Sequence, residues 1–178
     1  MKVLIVIDMQ RDFVDGALGT PEAQAIVPAV AAKVKKYNEM DNGVIIYTKD
    51  THFSNYMDTM EGTHLPVPHC IENTEGWQIV PEVYVEDSVV LDKYTFGRYN
   101  LPNDVWATAM IKYEGKELES IEVVGLCTDI CVVSNCLILK SVYRDTPIIV
   151  DSSCCAGVTP AKHEAALEVM RSCQIEVI

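Results

Sequence analysis

Asp8, Lys93 and Cys131 are side chains of the kinds acyl-transfer chemistry uses, and each falls just beyond a short apolar run. Cys131 ends the segment Gly125-Leu126-Cys127-Thr128-Asp129-Ile130-Cys131, which joins an apolar run to a helical one. It is therefore expected in a first helical turn, where free backbone N–H groups and the helix dipole favour a thiolate. The same N–H groups suit the oxyanion of a tetrahedral intermediate. The competing reading of Cys131 from position alone is an ordinary buried cysteine, and Cys136, Cys154, Cys155 and Cys173 are read that way. Asp8 follows Val3-Leu4-Ile5-Val6-Ile7, so its carboxylate stands at the mouth of a buried strand, a costly place for a charge without a partner. Lys93, after Val89-Val90-Leu91-Asp92, has the same placement and the opposite sign. A structural ion pair is the simple account. A thiol between them adds chemistry, because the carboxylate accepts its proton and the ammonium offsets the charge that results.

A second set has the composition of a metal site. Asp50-Thr51-His52 puts two ligand-type side chains at i and i+2, on one side of an extended segment. His69, in Pro66-Val67-Pro68-His69-Cys70, would close the set from a loop stiffened by two prolines. A carboxylate with two imidazoles suits zinc, iron or manganese. Taken alone, an Asp-x-His pair is more often a surface hydrogen bond.

The elements that must position these groups are legible as periodicity. Continuous apolar runs at 3–7, 44–47, 88–91, 121–125, 147–150 and 175–178 read as strands covered on both faces, as in a parallel sheet. Thr20-Pro21 and Thr159-Pro160 each combine an N-cap with proline at the first helical position. They open helices running toward Gly43 and over 161–173. Further helices are expected over 129–143 and 102–114. Strands alternating with helices predict an α/β fold: a doubly wound, mostly parallel six-stranded sheet with helices on both faces, in one domain spanning 1–178. Sites in such sheets form at the carboxyl ends of the strands, where Asp8, Asp50, Lys93 and the 127–131 turn all fall. The long irregular segment 51–85 is expected to be functional.

With 178 residues, 49% hydrophobic and 22% charged, the chain has the composition of a folded globular protein. Its net charge of -12 repels phosphate backbones and anionic lipid, which disfavours nucleic-acid and membrane partners. No apolar run approaches the roughly 20 residues of a membrane span. Seven cysteines, an odd number without an export signal, point to free thiols in the cytoplasm.

The ordered set Asp8-Met9-Gln10-x-Asp12-Phe13, Lys93 and Gly125-x-x-Thr128-Asp129-x-Cys131 resembles the isochorismatase-like cysteine hydrolases, nicotinamidases among them, over nearly the whole chain. The resemblance implies a catalytic triad of Asp8, Lys93 and Cys131, an oxyanion hole from the N–H groups of Cys127 and Cys131, and a cis peptide near Leu126-Cys127. It implies a divalent metal, zinc first, on Asp50, His52 and His69, with Glu61 as fourth ligand ahead of His64. It further implies hydrolysis of a small carboxamide such as nicotinamide through a thioester, and a homo-oligomer by analogy. One departure stands out. Nicotinamidases often carry an aromatic residue a few positions before the last metal histidine, whereas here the segment reads Thr63-His64-Leu65-Pro66. Phe13, Tyr94, Phe96 and Tyr99 are the candidates for aromatic walls, each with core packing as the alternative, while Trp77 and Trp106 are read as structural. The rival functions are cleavage of another small amide or ureido compound, a cysteine-rich metal-binding or redox module, and a non-catalytic scaffold. The module lacks any Cys-x-x-Cys pair, and the scaffold should have lost a triad residue.

Overall fold

The computed structural model describes residues 1–112 and 117–178. Six strands, β1 (Lys2–Ile7), β2 (Gly43–Asp50), β3 (Val89–Lys93), β4 (Ser120–Leu126), β5 (Ile148–Ala156) and β6 (Glu176–Val177), form one sheet. Its order is β3-β2-β1-β4-β5-β6 and every pairing is parallel. The expected α/β architecture is therefore the observed one. The helices are α1 (Arg11–Val14), α2 (Pro21–Asn38), α3 (Met60–His64), α4 (Leu101–Lys112), α5 (Val133–Val142) and α6 (Pro160–Ser172). Thr20 and Thr159 cap α2 and α6 as read, accepting hydrogen bonds from the backbone N–H groups of Ala23 and Lys162. The expected end of the fourth helix at Glu114 lies outside the described residues.

The apolar runs are buried on both faces because helices cover both. Val3, Ile5, Ile46 and Val123 pack with Leu101, Val105, Leu139 and Met170 on one face. Leu4, Val6, Tyr47 and Val124 pack with Val30, Val34 and Tyr37 of α2 on the other. At about 1.5–3 kcal/mol for each large side chain removed from water, these two layers hold the register that aligns the strand ends.

Several boundaries differ from the sequence expectation. β5 runs to Ala156 because a bulge between Val123 and Gly125 lets pairing resume at Gly125–Cys155. The helix expected over 129–143 starts as a π-helical turn, Thr128–Val132, before α5 begins. The segment 51–85 holds α3 and two short 3₁₀ turns, Tyr56–Asp58 and Pro81–Val83. Cys173, read as buried, is exposed, because it caps the outer end of α6 where no element packs over it. Among the described residues no helix is long and apolar enough to cross a membrane.

Candidate active site

Adjacent strands β1 and β4 are where the winding of the sheet reverses, and a crevice opens at their carboxyl ends. Asp8 leaves β1 with φ 47°, a left-handed conformation that aspartate tolerates better than most residues. On β4, Gly125 has φ 118°, and a Cβ there would meet the Ile7 carbonyl oxygen at 2.1 Å. Only glycine lets the two strand ends approach so closely, which brings the 127–131 turn beside Asp8. The Leu126–Cys127 peptide that follows is cis.

Asp8 and Lys93 are 0% and 1% exposed. Thr48 Oγ1 donates to Asp8 Oδ1 at 2.7 Å. Lys93 Nζ lies 2.7 Å from Asp8 Oδ2 in a buried ion pair. The ammonium also donates to Asp50 Oδ1 at 2.9 Å and to Cys131 Sγ at 3.5 Å. Burial pushes the Asp8 carboxyl up, opposed by the Lys93 charge and reinforced by Asp50. For Lys93, burial alone would lower the ammonium, but Asp8, Cys131 and Asp50 outweigh it and hold it well above its ordinary value. The Cys131 thiol, 5% exposed, is pushed well up by burial, and Lys93 offsets only part of this. Burial and the Lys93 charge thus act on the Cys131 thiol in opposite directions.

The metal-type residues converge on the neighbouring strand end. One ligand atom each from Asp50, His52, Glu61 and His69 lies within 4.8 Å of all the others. His52 Nε2 is 3.0 Å from Asp50 Oδ2 and 3.7 Å from Glu61 Oε1. His69 Nε2 is 3.7 Å from Asp50 Oδ2 and 3.8 Å from Glu61 Oε1. These separations match the edges and diagonals of a coordination shell with bonds of about 2.0–2.2 Å. His69 Nδ1 donates to the Val67 carbonyl at 2.8 Å, so in the neutral ring Nε2 is a bare lone pair facing two carboxylates. Acceptor facing acceptor is unfavourable unless a cation stands between them, and the donor set therefore fits a divalent metal. His64 is exposed and its Nδ1 donates to the Met60 carbonyl, outside this cluster. Asp50 is pulled down to about 2: burial opposes this, and the His52 hydrogen bond and the Lys93 charge prevail.

A cavity of about 800 Å³ opens over both groups. Phe13, Tyr94 and Phe96 line it, with Leu65 in the same wall. Phe13 meets the His69 ring edge-on at 5.4 Å, and Tyr94 stacks on Phe53 at 5.7 Å. Tyr99, expected beside them, is 81% exposed and does not line the cavity, because the chain has already turned outward to start α4.

Three polar supports, buried Gln10 and Asn135 and half-buried Asp12, were not read from the sequence. Gln10 accepts from the Asp50 N–H at 2.7 Å and donates to the carbonyls of Asp50 and Trp77, each at 2.9 Å, fixing the end of β2. Asp12 Oδ2 accepts from the Cys70 N–H at 2.7 Å and anchors the loop carrying His69. Asn135 donates to the carbonyls of Cys131 and Phe96 and accepts from the Arg98 N–H, tying the 127–131 turn to the 94–98 loop. Gln10 and Asp12 lay inside the quoted motif, where polar residues directly after a buried strand were the available signal; Asn135, in a largely apolar helix, was a weaker one.

The Isochorismatase domain family model matches residues 2–178. A nicotinamidase/pyrazinamidase of Mycobacterium tuberculosis is 25% identical, covering 100% of this chain and 98% of its own. A Saccharomyces cerevisiae nicotinamidase is 26% identical, covering 85% and 87%. The crystal structure of a Pyrococcus horikoshii pyrazinamidase in complex with zinc superposes with a TM-score of 0.81 at 29% identity, covering 99% of this chain and 98% of that one. The two strand-end clusters thus sit in a fold shared along its whole length with these proteins, and the chain belongs to the isochorismatase family.

Proposed function

We propose that this protein is a cysteine amidohydrolase that cleaves a small carboxamide, nicotinamide being the reference substrate, to the acid and ammonia. The observation that carries this reading is the buried Asp8–Lys93–Cys131 cluster, in which Lys93 Nζ lies 2.7 Å from Asp8 Oδ2 and donates to Cys131 Sγ at 3.5 Å. Asp8 is buried against the ammonium that also contacts the thiol, a position from which its carboxylate can serve as general base for the Cys131 proton. Cys131 Sγ attacks the amide carbon as its proton passes to Asp8. The oxyanion is held by the N–H groups of Cys127 and Cys131. The C–N bond then breaks, Asp8 returns the proton to the leaving nitrogen, and ammonia departs from a thioester. Water, deprotonated by Asp8, cleaves the thioester and restores the thiol. Lys93 keeps its charge throughout and stabilises each state in which negative charge sits on sulfur or Asp8.

Asp50, His52, Glu61 and His69 are the residues that would hold a divalent cation. Such a cation supplies a Lewis-acid anchor for a substrate ring nitrogen or a water bonded to it. The relatives named above act on nicotinamide or pyrazinamide by their names, and one was crystallised with zinc, which supports both substrate class and metal. The cytoplasm remains the expected compartment and a homo-oligomer the expected assembly.

The test is ammonia release from nicotinamide, benzamide and N-carbamoyl amino acids, with metal-free and metal-restored protein. Nicotinamide turnover that is lost on chelation and restored by zinc, iron or manganese supports the reading. Equal turnover of nicotinamide and benzamide, indifferent to metal, removes the anchoring role. Turnover of the N-carbamoyl compounds alone moves the activity to ureido substrates.

A further inference from the structure

The cavity is far larger than a single-ring amide requires. A dry apolar cavity of about 150 Å³ accommodates benzene, and this one, at about 800 Å³, is several times that size. Its direction follows from the sheet. At one end stand Asp50, at the end of β2, and the cluster around it; at the other stand Gly157 and Val158, just past β5. Between β2 and β5 come β1 and β4, so the cavity crosses three strand spacings, about 14 Å at ~4.8 Å each. Cys131 follows β4 and lies between these two ends.

The β5 side of Cys131 is chemically distinct from the metal side. Leu126 at the end of β4, Ile130 in the turn after it, and Val158 and Lys162 past β5 line the cavity there, while Asp50, Glu61 and His69 line it at the β2 end. Walls that are mainly apolar recognise apolar surface, and Lys162 is the charged residue that lines the cavity beside Val158 in the chain.

Resting on the amidase reading, we propose that the preferred substrate is a primary carboxamide on an extended apolar body, of two fused or linked rings, rather than a single heteroaromatic ring. The carboxamide meets Cys131, and the distal ring lies along Leu126, Ile130 and Val158. The bond changes are those already given: C–S forms, C–N breaks, and the nitrogen leaves as ammonia with the proton from Asp8.

The experiment compares kcat/KM for nicotinamide, benzamide, quinoline-3-carboxamide and 2-naphthamide on the metal-loaded enzyme and on Val158→Trp. Val158 is 43% exposed, so an indole there projects into the cavity without entering the core. Its backbone N–H bond to Asp129 Oδ1 is kept. The expected result is at least tenfold higher kcat/KM for the two-ring amides than for their single-ring counterparts, and a tenfold or greater shift of that ratio toward the single rings in Val158→Trp. Faster hydrolysis of nicotinamide, with a ratio that Val158→Trp leaves as it was, overturns the extended-substrate proposal while the amidase stands. Ammonia from none of the four overturns both.

Discussion

Asp50 divides its carboxylate between two tasks: Oδ1 accepts from the Lys93 ammonium at 2.9 Å, and Oδ2 faces His52 at 3.0 Å. One side chain thus links the triad cluster to the metal-type cluster. Any change at Asp50 is felt at both, whereas a change at His52 is felt at one.

Asp50→Ala is therefore expected to lose bound metal and to lower amide turnover about 100-fold or more, at the upper end of what ligand-sphere changes do. His52→Ala should lose metal equally while leaving Cys131 alkylation close to wild type. Metal analysis and iodoacetamide rates on both variants check this. Equal alkylation in the two variants would show that Asp50 does not reach the triad through Lys93.

Because burial holds the Cys131 thiol well above its ordinary value, its alkylation should climb steadily as pH rises through neutrality. Lys93→Met removes the charge that pulls the thiol down, so labelling should slow further at every pH. The same variant leaves Asp8 as a buried carboxylate without a cation, which is expected to cost about 3–5 kcal/mol. Substrate should protect Cys131 but not the exposed Cys173. Peptide mapping after brief labelling between pH 6 and 9 reads all of this, and a flat pH profile contradicts the upward push of burial on the thiol.

Asn135→Leu removes three hydrogen bonds that join the nucleophile turn to the 94–98 loop. The orphaned buried carbonyls and N–H should cost about 2–3 kcal/mol, a fall in Tm of roughly 4–12 °C for a chain of this size. Since Phe96 and Cys131 are both tied to Asn135, kcat should fall with it. A variant with lowered Tm and unaltered kcat would assign Asn135 to stability alone.

Away from the site, Lys33 on α2 bridges Glu122 on β4 and Asp151 on β5, and Tyr37 donates to Glu122 at 2.7 Å. For Asp151, burial pushes upward but the Lys33 and Ser153 hydrogen bonds win and its pKa is lowered. For Lys33, burial pushes downward but the two carboxylates raise it to about 12. A carboxyl lowered on folding stabilises above its unfolded pKa, and that contribution is lost as pH falls through the folded value. A lysine raised on folding stabilises below its unfolded pKa of about 10.4, and that contribution is lost as pH rises toward about 12. Lys33→Met should therefore lower Tm most between about pH 5 and 10 and least at both extremes. A Tm difference independent of pH would mean the lysine acts through packing alone.

The strand runs, the two threonine–proline helix starts and the residue types at the strand ends were all set locally, by hydrophobic periodicity and capping chemistry, and so could be read from the chain. The same local signals carried Asp8, Lys93, Cys131, Asp50, His52 and His69 to one edge, because a parallel sheet sends every strand end to the same side. What they could not carry was the order of the strands. Only the sequence β3-β2-β1-β4-β5-β6 sets Lys93, from β3, beside Asp50, from β2, and runs the cavity past Cys131 to Val158. Burial likewise exists only once the helices pack: it pushes the Cys131 thiol up, encloses the Asp8–Lys93 ion pair, and turns Asn135 from an ordinary helix residue into the tie between two loops. Glu61 faces the His52 and His69 rings and His64 does not because α3 forms and turns one side inward, a choice made by the loop's contacts rather than by spacing along the chain.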